Sequence, residues 1–183
     1  SAAICAAVGI SGGAVLAGVL DGSISMGVWN GLALAGGAAT VGCCCNMLGF
    51  AVISYPDNGV GGLVAQGLGT SMLQVPNLMR KPILWIPPVL TSAILGPVST
   101  CIFQLRNNGA AISSGMGTAG LVGPIGIITG WSNMPEGYAV GAFDWLGMIL
   151  VCFVLPVLLS WAIGKFMRKK GWIKEGDLKV DLG

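Results

Sequence analysis

Residues 145–164 read Trp145-LGMILVCFVLPVLLSWAI-Gly164, and this stretch decides the fold class. None of its side chains is charged, and about 20 apolar residues in a helix span a hydrocarbon core of about 30 Å. A tryptophan stands near each end, and basic residues follow from Lys165 onward. This pattern is typical of helices anchored at both membrane interfaces. The stretch therefore predicts a membrane-spanning helix.

The composition extends this prediction to the whole chain. Of its 183 residues, 54% are hydrophobic and 9% are charged, against about 45–50% and about 25% in soluble domains. Mean hydropathy is +0.83. A soluble enzyme and a disordered segment are excluded, since disorder needs low hydrophobicity and high charge. We predict an all-α integral membrane protein, with a membrane-embedded domain over 1–164 and a basic cytoplasmic tail over 165–183.

Charge spacing predicts further spans and their orientation. The uncharged runs 22–56 and Ile83–Ile102 are long enough to cross a membrane, and prolines in the second run predict bends. Basic residues mark the cytoplasmic side, so the C-terminus and the Arg80–Lys81 pair are both placed there. An even number of crossings must then separate them. Residues 104–136 are accordingly predicted to enter the membrane and return as a re-entrant hairpin.

The start of the chain leaves two interpretations open. It begins inside an apolar run, with no basic segment before it. We interpret it as the C-terminal part of a longer protein. The alternative is an ordinary first helix after processing.

Glycine supplies the second pattern, with 31 residues in the chain. Pairs at four-residue spacing, such as Gly126/Gly130, let helix backbones approach closely in lipid. This predicts a multi-helix, permease-like bundle with Gly-rich broken or re-entrant segments. Segment 104–126 mixes glycines with polar side chains, which a continuous spanning helix would bury in lipid at several kcal/mol. We predict a discontinuous element facing a polar cavity, the alternative being an exposed loop. Amides also interrupt the apolar runs at 46–49 and 67–78, and broken segments are pointers to transporter binding sites.

Residues that carry chemistry are sparse. The chain has no histidine and no Walker-type phosphate loop, so no catalytic residue, metal ligand or cofactor is predicted. The consecutive Cys43, Cys44 and Cys45 are interpreted as small apolar residues at a helix contact. The acidic residues Asp21, Asp57, Glu136 and Asp144 have turn or cap roles, or they couple transport to protons or solute. Glu136 is the best candidate for coupling because it follows the Gly-rich element.

Three stretches carry a resemblance to a known family. Residues 27–43, 78–100 and 113–126 resemble the C-terminal half of phosphotransferase-system EIIC-like membrane proteins. The most similar branch is that of the perfringolysin-regulator-like proteins. The resemblance implies a sugar-permease-like domain in a bacterial cytoplasmic membrane, with helices around a re-entrant polar cavity. It also implies a homodimer and cytosolic phosphotransferase-system partners.

The sequence departs from that family at two points. EIIC transporters rely on a Glu in a Gly-Ile-Thr-Glu-like hairpin and on a His near the sugar, whereas this chain reads Gly126-Ile-Ile-Thr-Gly130 and has no His. Any sugar phosphorylation would need partner EIIA and EIIB components. The chain is therefore not predicted to be an enzyme by itself.

Three functions follow from these observations. The first is a permease that binds and translocates a small polar solute, a sugar, with indole rings stacking on it. Arg106 would suit an anionic solute instead. The second is a membrane sensor or regulator that keeps the permease fold without phosphorylation-coupled transport, and the third is a structural subunit. The bilayer is a partner in each case, and nucleic acid is not. The predicted solute-binding residues are Gln104, Arg106, Asn107, Asn108, Ser113, Ser114, Thr118, Glu136, Asn30 and Asn77.

Overall fold

The structure is a computed structural model that describes residues 25–109, 112–132, 134 and 139–180. Within these residues every regular element is helical, which confirms the all-α class. Glu136, Asp21 and the apolar run at the start of the chain lie outside the described residues. The helices are α1 (Met26–Ile53), α2 (Tyr55–Val64), α3 (Val75–Arg80), α4 (Ile86–Pro97), α5 (Ser113–Met116), α6 (Val122–Trp131), α7 (Ala142–Ile149) and α8 (Leu155–Lys169).

Three continuous helical stretches are long and apolar enough to cross a membrane. They are Met26–Ile53, Pro82–Ile102 and Ala142–Lys169. The second joins a 3-10 turn to α4 and a π turn at Val98–Ile102, and the third joins α7 to α8 through a π turn at Leu150–Val154. The chain is therefore a multi-pass membrane protein with a helical bundle, as the charge spacing predicts.

Close contacts fix the directions of these three spans. A Cβ on Gly49 of α1 would meet Pro88 and the Ser160 hydroxyl at 3.0 Å, and one on Gly164 would meet Ile53 at 2.6 Å. Span 82–102 therefore runs antiparallel to α1, and span 142–169 runs parallel to it. Small residues at these crossings allow the close approach that the glycine pattern predicts.

Residues 54–81 form the first hairpin. It starts at the end of α1 with α2, continues as a π turn over Ala65–Gly69, and returns through a 3-10 turn and α3. The sequence contains this stretch as the uncharged run 58–79, which is long enough to span. Its return to the same end of the bundle is a finding of the structure. Pro56 lies in the first turn of α2, and Gly59, with a φ of +61°, breaks this helix directly after Asn58. Asp57 therefore lies in a single helical turn that ends at the glycine of the predicted turn sequence.

Residues 104–131 form the second hairpin, which enters from the opposite end of α1. It contains the four-residue helix α5, a sharp turn at 117–121, and the ten-residue helix α6. Helix α6 is about 15 Å long at 1.5 Å per residue, too short to cross a hydrocarbon core of about 30 Å. The predicted broken, non-spanning segment is present.

The C-terminal segment, residues 171–180, folds back onto the first hairpin. Ile173 and Leu178 are buried in a core cluster with Phe50, Ile53 and Met167. The ion pairs Lys81–Asp177 and Arg168–Asp57 (2.7 Å for the second) join this end of the bundle. The predicted boundary after residue 164 falls inside α8, which continues through Lys169.

Candidate functional site

The tips of the two hairpins meet beside α1. Gly67 of the first hairpin lies against Ala51, where a Cβ would be 3.5 Å away. Gly117 of the second has a φ of +55° and lies against the α1 backbone, where a Cβ would come within 2.6 Å of the Cys43 carbonyl carbon. Only glycine combines this conformation with this approach. The Thr118 hydroxyl donates to the Gly67 carbonyl oxygen at 2.6 Å, so the tips are bonded to each other.

A cavity of about 440 Å³ lies between α1 and the two tips. We call it the tip cavity. Its volume falls in the range of about 300–1,000 Å³ typical of small-molecule sites. Among the described residues, its walls carry no carboxylate, ammonium or guanidinium group, so it suits a neutral solute. The lining residues are Cys43, Asn46, Met47, Gly69, Thr70, Ser71, Met72, Gly115, Met116 and Ala119.

Asn46 gives this cavity its polarity. Its Oδ1 atom is buried and has no hydrogen-bond partner within the described part of the chain. A buried acceptor without a donor costs about 1–3 kcal/mol, and such groups are rare in native structures.

Two hydroxyl side chains of the first hairpin tip face the same cavity. The Thr70 hydroxyl accepts from the Met72 backbone N–H at 3.2 Å, which leaves its proton free to donate. Ser71 lies next to it in the cavity wall. Together with Asn46 they offer donors and acceptors in an uncharged setting, which is the chemistry that binds sugar hydroxyls.

The predicted residues Asn107 and Ser113 lie together, but their side chains bond to the protein. The Asn107 amide donates to Thr40 Oγ1 at 2.7 Å and to Ser113 Oγ at 3.1 Å. Its Oδ1 accepts from the Gly109 backbone N–H at 3.1 Å. Asn107 is 1% exposed. The geometry makes this amide the anchor of the second hairpin against α1.

Of the other predicted residues of the second hairpin, Ser114 and Thr118 lie near its tip, and Asn108 lies beside the C-terminal end of α6. Ser114 is fully buried, and its carbonyl oxygen accepts from the Cys43 thiol at 3.8 Å. Its hydroxyl oxygen has no partner among the described residues. Thr118 closes the tip through its bond to Gly67. Asn108 is half-buried, and its backbone packs against Gly130, where a Cβ would be 2.9 Å from its nitrogen.

Gln104, Arg106 and Asn30 form a separate group at the far end of the second hairpin. The Arg106 guanidinium donates from Nε to Asn30 Oδ1 at 2.6 Å and from Nη2 to Gln104 Oε1 at 3.0 Å. The cavity beside them measures about 20 Å³, roughly the space of one water molecule. Asp144 accepts from the Gly141 backbone N–H at 2.9 Å, which confirms its cap role at α7. This group does not hold a sugar-sized solute in the described arrangement.

Asn77 lies at the opposite end of the bundle, in a network that holds the C-terminal segment. Its amide donates to Gln74 Oε1 and to the Lys179 carbonyl oxygen, both at 2.9 Å. The buried Gln74 amide donates to Gln66 Oε1 at 3.0 Å and to the Leu178 carbonyl oxygen at 2.9 Å. The predicted set is therefore divided among three places, and Glu136 lies outside the described residues.

Asp177 pairs with Lys81 in the same region. Partial burial raises the pKa of the Asp177 carboxyl, but hydrogen bonds from Lys81 and from the Lys174 backbone N–H lower it further than burial raises it. The charges of both lysines act in the same direction. The pKa of Asp177 is therefore below its ordinary value, and the carboxyl is ionised at neutral pH.

The indoles predicted to stack on a sugar lie elsewhere. Trp29 is 1% exposed, Trp85 is on the outer surface, and Trp131 packs edge-on to Trp145 with ring centroids 4.8 Å apart. Methionines at 47, 72 and 116 provide the apolar surface of the tip cavity instead.

Sequence reasoning did not name Asn46, Thr70 and Ser71 as site residues. It did mark 46–49 and 67–78 as interruptions of apolar runs. An amide in an otherwise apolar spanning helix was the usable signal. The sequence does not show that residue 70 lies near residue 46. The two are adjacent only because the first hairpin folds back along α1.

Residues 1–180 match the protein-family model described as Phosphotransferase system, EIIC. The chain belongs to the phosphotransferase-system EIIC family. This confirms the resemblance at the level of the family and identifies a membrane domain of the sugar-permease type. EIIC proteins take a sugar substrate and work with other phosphotransferase-system components. No curated protein and no solved structure shows a significant match to this EIIC chain.

Proposed function

We propose that this EIIC domain binds a neutral carbohydrate in the tip cavity and carries it across the membrane. The observation that carries the proposal is the 440 Å³ cavity between two broken segments, which is lined by the uncharged polar residues Asn46, Thr70 and Ser71. Solute sites at the meeting point of discontinuous membrane segments are a common transporter arrangement. The uncharged lining favours a neutral sugar over a sugar phosphate.

Access from either side follows from the position of the hairpins. The first approaches the cavity from the Ile53 end of α1 and the second from the Met26 end. Withdrawing one tip would open the cavity toward one side of the membrane while the other tip keeps it closed. The Thr118–Gly67 hydrogen bond is the contact that has to break in either movement.

Coupling to phosphorylation is not assigned to any residue of this chain. The segment Gly126–Gly130 carries no Glu, and the chain has no His. Binding without phosphorylation-coupled transport would make the domain a membrane sensor or regulator, as the perfringolysin-regulator-like branch implies. A cytoplasmic C-terminus, a homodimer and cytosolic phosphotransferase-system partners belong to the same proposal.

A melting-temperature screen of the detergent-purified chain against neutral sugars, sugar phosphates and polyols tests the site. A ligand at a hundred times its dissociation constant stabilises the native state by about 2.7 kcal/mol. We expect a neutral sugar to raise the melting temperature, and Asn46→Leu to abolish that shift. The matched control is Asn30→Leu, which removes an amide from the same helix outside the cavity and keeps the shift.

The alternatives have distinct outcomes. Loss of the shift in Asn30→Leu but not in Asn46→Leu would move the site to the Arg106 group. A shift given only by sugar phosphates would contradict the neutral-solute assignment. Uptake of the bound sugar into proteoliposomes separates a permease from a sensor, because a sensor binds the sugar without flux.

A further inference from the structure

A groove on the outer surface of the bundle runs along α8. It consists of two cavities, of about 260 and 300 Å³, that adjoin at Val52 of α1. On the third span the lining residues are Phe153, Val157, Trp161, Lys165 and Arg168. Their spacing of three or four residues places them on one helix face. We call this the side groove.

The side groove changes character along its length. The part toward Phe153 is lined by apolar side chains and Thr118, whose hydroxyl is already bonded to Gly67. The other end carries Lys165 and Arg168. From Phe153 to Lys165 the helix rises about 18 Å, close to half the thickness of a hydrocarbon core of about 30 Å. An apolar slot of this length with a basic end matches one leaflet of a bilayer.

The basic end offers a cation, Lys165, that has no counter-ion within the described part of the chain. Arg168 is committed to Asp57 at 2.7 Å and to the Ile53 carbonyl oxygen at 3.0 Å. Lys165 lies 4.7 Å from the centroid of the Trp161 ring. Among the described residues no carboxylate lies within 4.0 Å of Lys165. Its ammonium group is held above the groove and is accessible to an anion.

The surrounding charge favours an anionic occupant. Eight basic and three acidic described residues lie at this end of the bundle, a net charge of +5. They are Arg80, Lys81, Lys165, Arg168, Lys169, Lys170, Lys174 and Lys179, with Asp57, Glu175 and Asp177. A second copy of this chain docked here by two-fold symmetry would bring the same positive end against itself.

We propose that the side groove binds one anionic glycerophospholipid, with an acyl chain along Phe153 and Val157 and its phosphate on Lys165. Basic pockets at the ends of membrane helices recognise anionic headgroups in this way. The apolar wall includes Leu63 and Leu68 of the first hairpin. The bound lipid would therefore stabilise that hairpin against α1 whether or not a sugar is present.

Native mass spectrometry and melting temperatures of the purified chain test this, with dioleoyl-phosphatidylglycerol and dioleoyl-phosphatidylcholine as probes. We expect phosphatidylglycerol, and not phosphatidylcholine, to remain bound and to raise the melting temperature. Lys165→Gln should weaken phosphatidylglycerol binding about fivefold, the contribution of one basic residue near a charged lipid surface. The matched control Lys170→Gln, on an exposed lysine over Phe166, should change it less than twofold.

A second variant separates the groove from general surface charge. Val157→Trp fills the apolar part and should abolish retention of the lipid while leaving the lipid-free melting temperature within a few degrees. Equal binding of the two lipids, or equal losses in Lys165→Gln and Lys170→Gln, would overturn the proposal. So would a Val157→Cys variant that crosslinks to a second copy or to residues 1–24 under conditions where no lipid is retained.

Discussion

The two hairpins do the same task by different means. Both bring non-helical backbone to the same part of α1, and both must satisfy its polar groups. The first hairpin is held by side-chain amides: Gln66, Gln74 and Asn77 bond to one another and to the C-terminal segment. The second also has an amide anchor, Asn107 on Thr40, but it adds a close steric fit, with glycine on both sides of its contact with α1.

That fit is tightest at Gly37 of α1. A Cβ at this position would lie 1.8 Å from the Leu105 carbonyl oxygen, and no rearrangement short of moving the backbone relieves such a contact. Anchoring by hydrogen bonds can be weakened one bond at a time, whereas these glycine contacts tolerate no added atom.

Gly37→Ala should have the largest effect. Because its methyl group would overlap the Leu105 carbonyl, we expect the second hairpin to separate from α1, with a loss of about 3 kcal/mol in the free energy of unfolding, the upper end of typical overpacking costs. The measurement is thermal unfolding in detergent together with gel-filtration monodispersity. Gly42→Ala is the control, since a Cβ there meets nothing within 4 Å; it should raise stability by up to about 1 kcal/mol. Similar losses of stability in both variants would show that the contact with Leu105 is not the reason why glycine is required at position 37.

Gln74→Met should have an intermediate effect. It removes the donor to Leu178 and Gln66 and the acceptor for Asn77 while keeping the side chain's volume, and leaving buried groups unpaired costs about 1–3 kcal/mol. We expect a lower melting temperature and faster proteolysis of the C-terminal segment. Gln104→Met, at an exposed glutamine of the second hairpin, should stay within about 0.5 kcal/mol. A stable Gln74→Met with an intact C-terminal segment would contradict the anchoring role of the amides.

The smallest effect concerns the pH dependence of the Lys81–Asp177 pair. Because the pKa of Asp177 is lowered in the folded state, the pair's contribution is present above the ordinary pKa and is lost as the pH falls through the folded pKa. A partly exposed pair near the surface contributes about 1 kcal/mol or less. Melting temperatures at about pH 5 and about pH 3 should differ more in the native chain than in Asp177→Asn. Identical pH dependence in the two proteins would show that Asp177 does not contribute to the pH dependence of stability.

The sequence was sufficient for the spans but not for the contacts. Charges are so costly in lipid that their spacing alone predicted the spans around residues 83–102 and 145–164. The mixture of glycines and polar side chains in 104–126 likewise predicted a broken element, because a continuous helix there would leave the polar side chains in lipid. These features depend on local composition, which the sequence contains directly.

The candidate site depended on information that is not local. An amide inside a membrane needs a hydrogen-bond partner. The sequence shows that the amide is there, but it does not show which group bonds to it. For Asn107 the partners are Thr40 and Ser113, so a residue predicted to bind solute is an internal anchor. For the Oδ1 atom of Asn46, no described residue provides a hydrogen-bond donor. The difference arises from how the hairpins fold along α1, and the two amides look alike in the sequence.

The contacts of the C-terminal segment also set an order of assembly during synthesis. Gln74 and Asn58 of the first hairpin bond to the Leu178 carbonyl oxygen, 104 and 120 residues later in the chain. Contacts of such separation form only after the intervening chain exists, and closing them is slow compared with local contacts. The first hairpin precedes residues 171–180 in the chain, so its amides obtain these partners only after residue 178 has been synthesised. In this EIIC domain the first hairpin is therefore completed later than its place in the chain indicates, because it waits for contacts with the segment at 171–180.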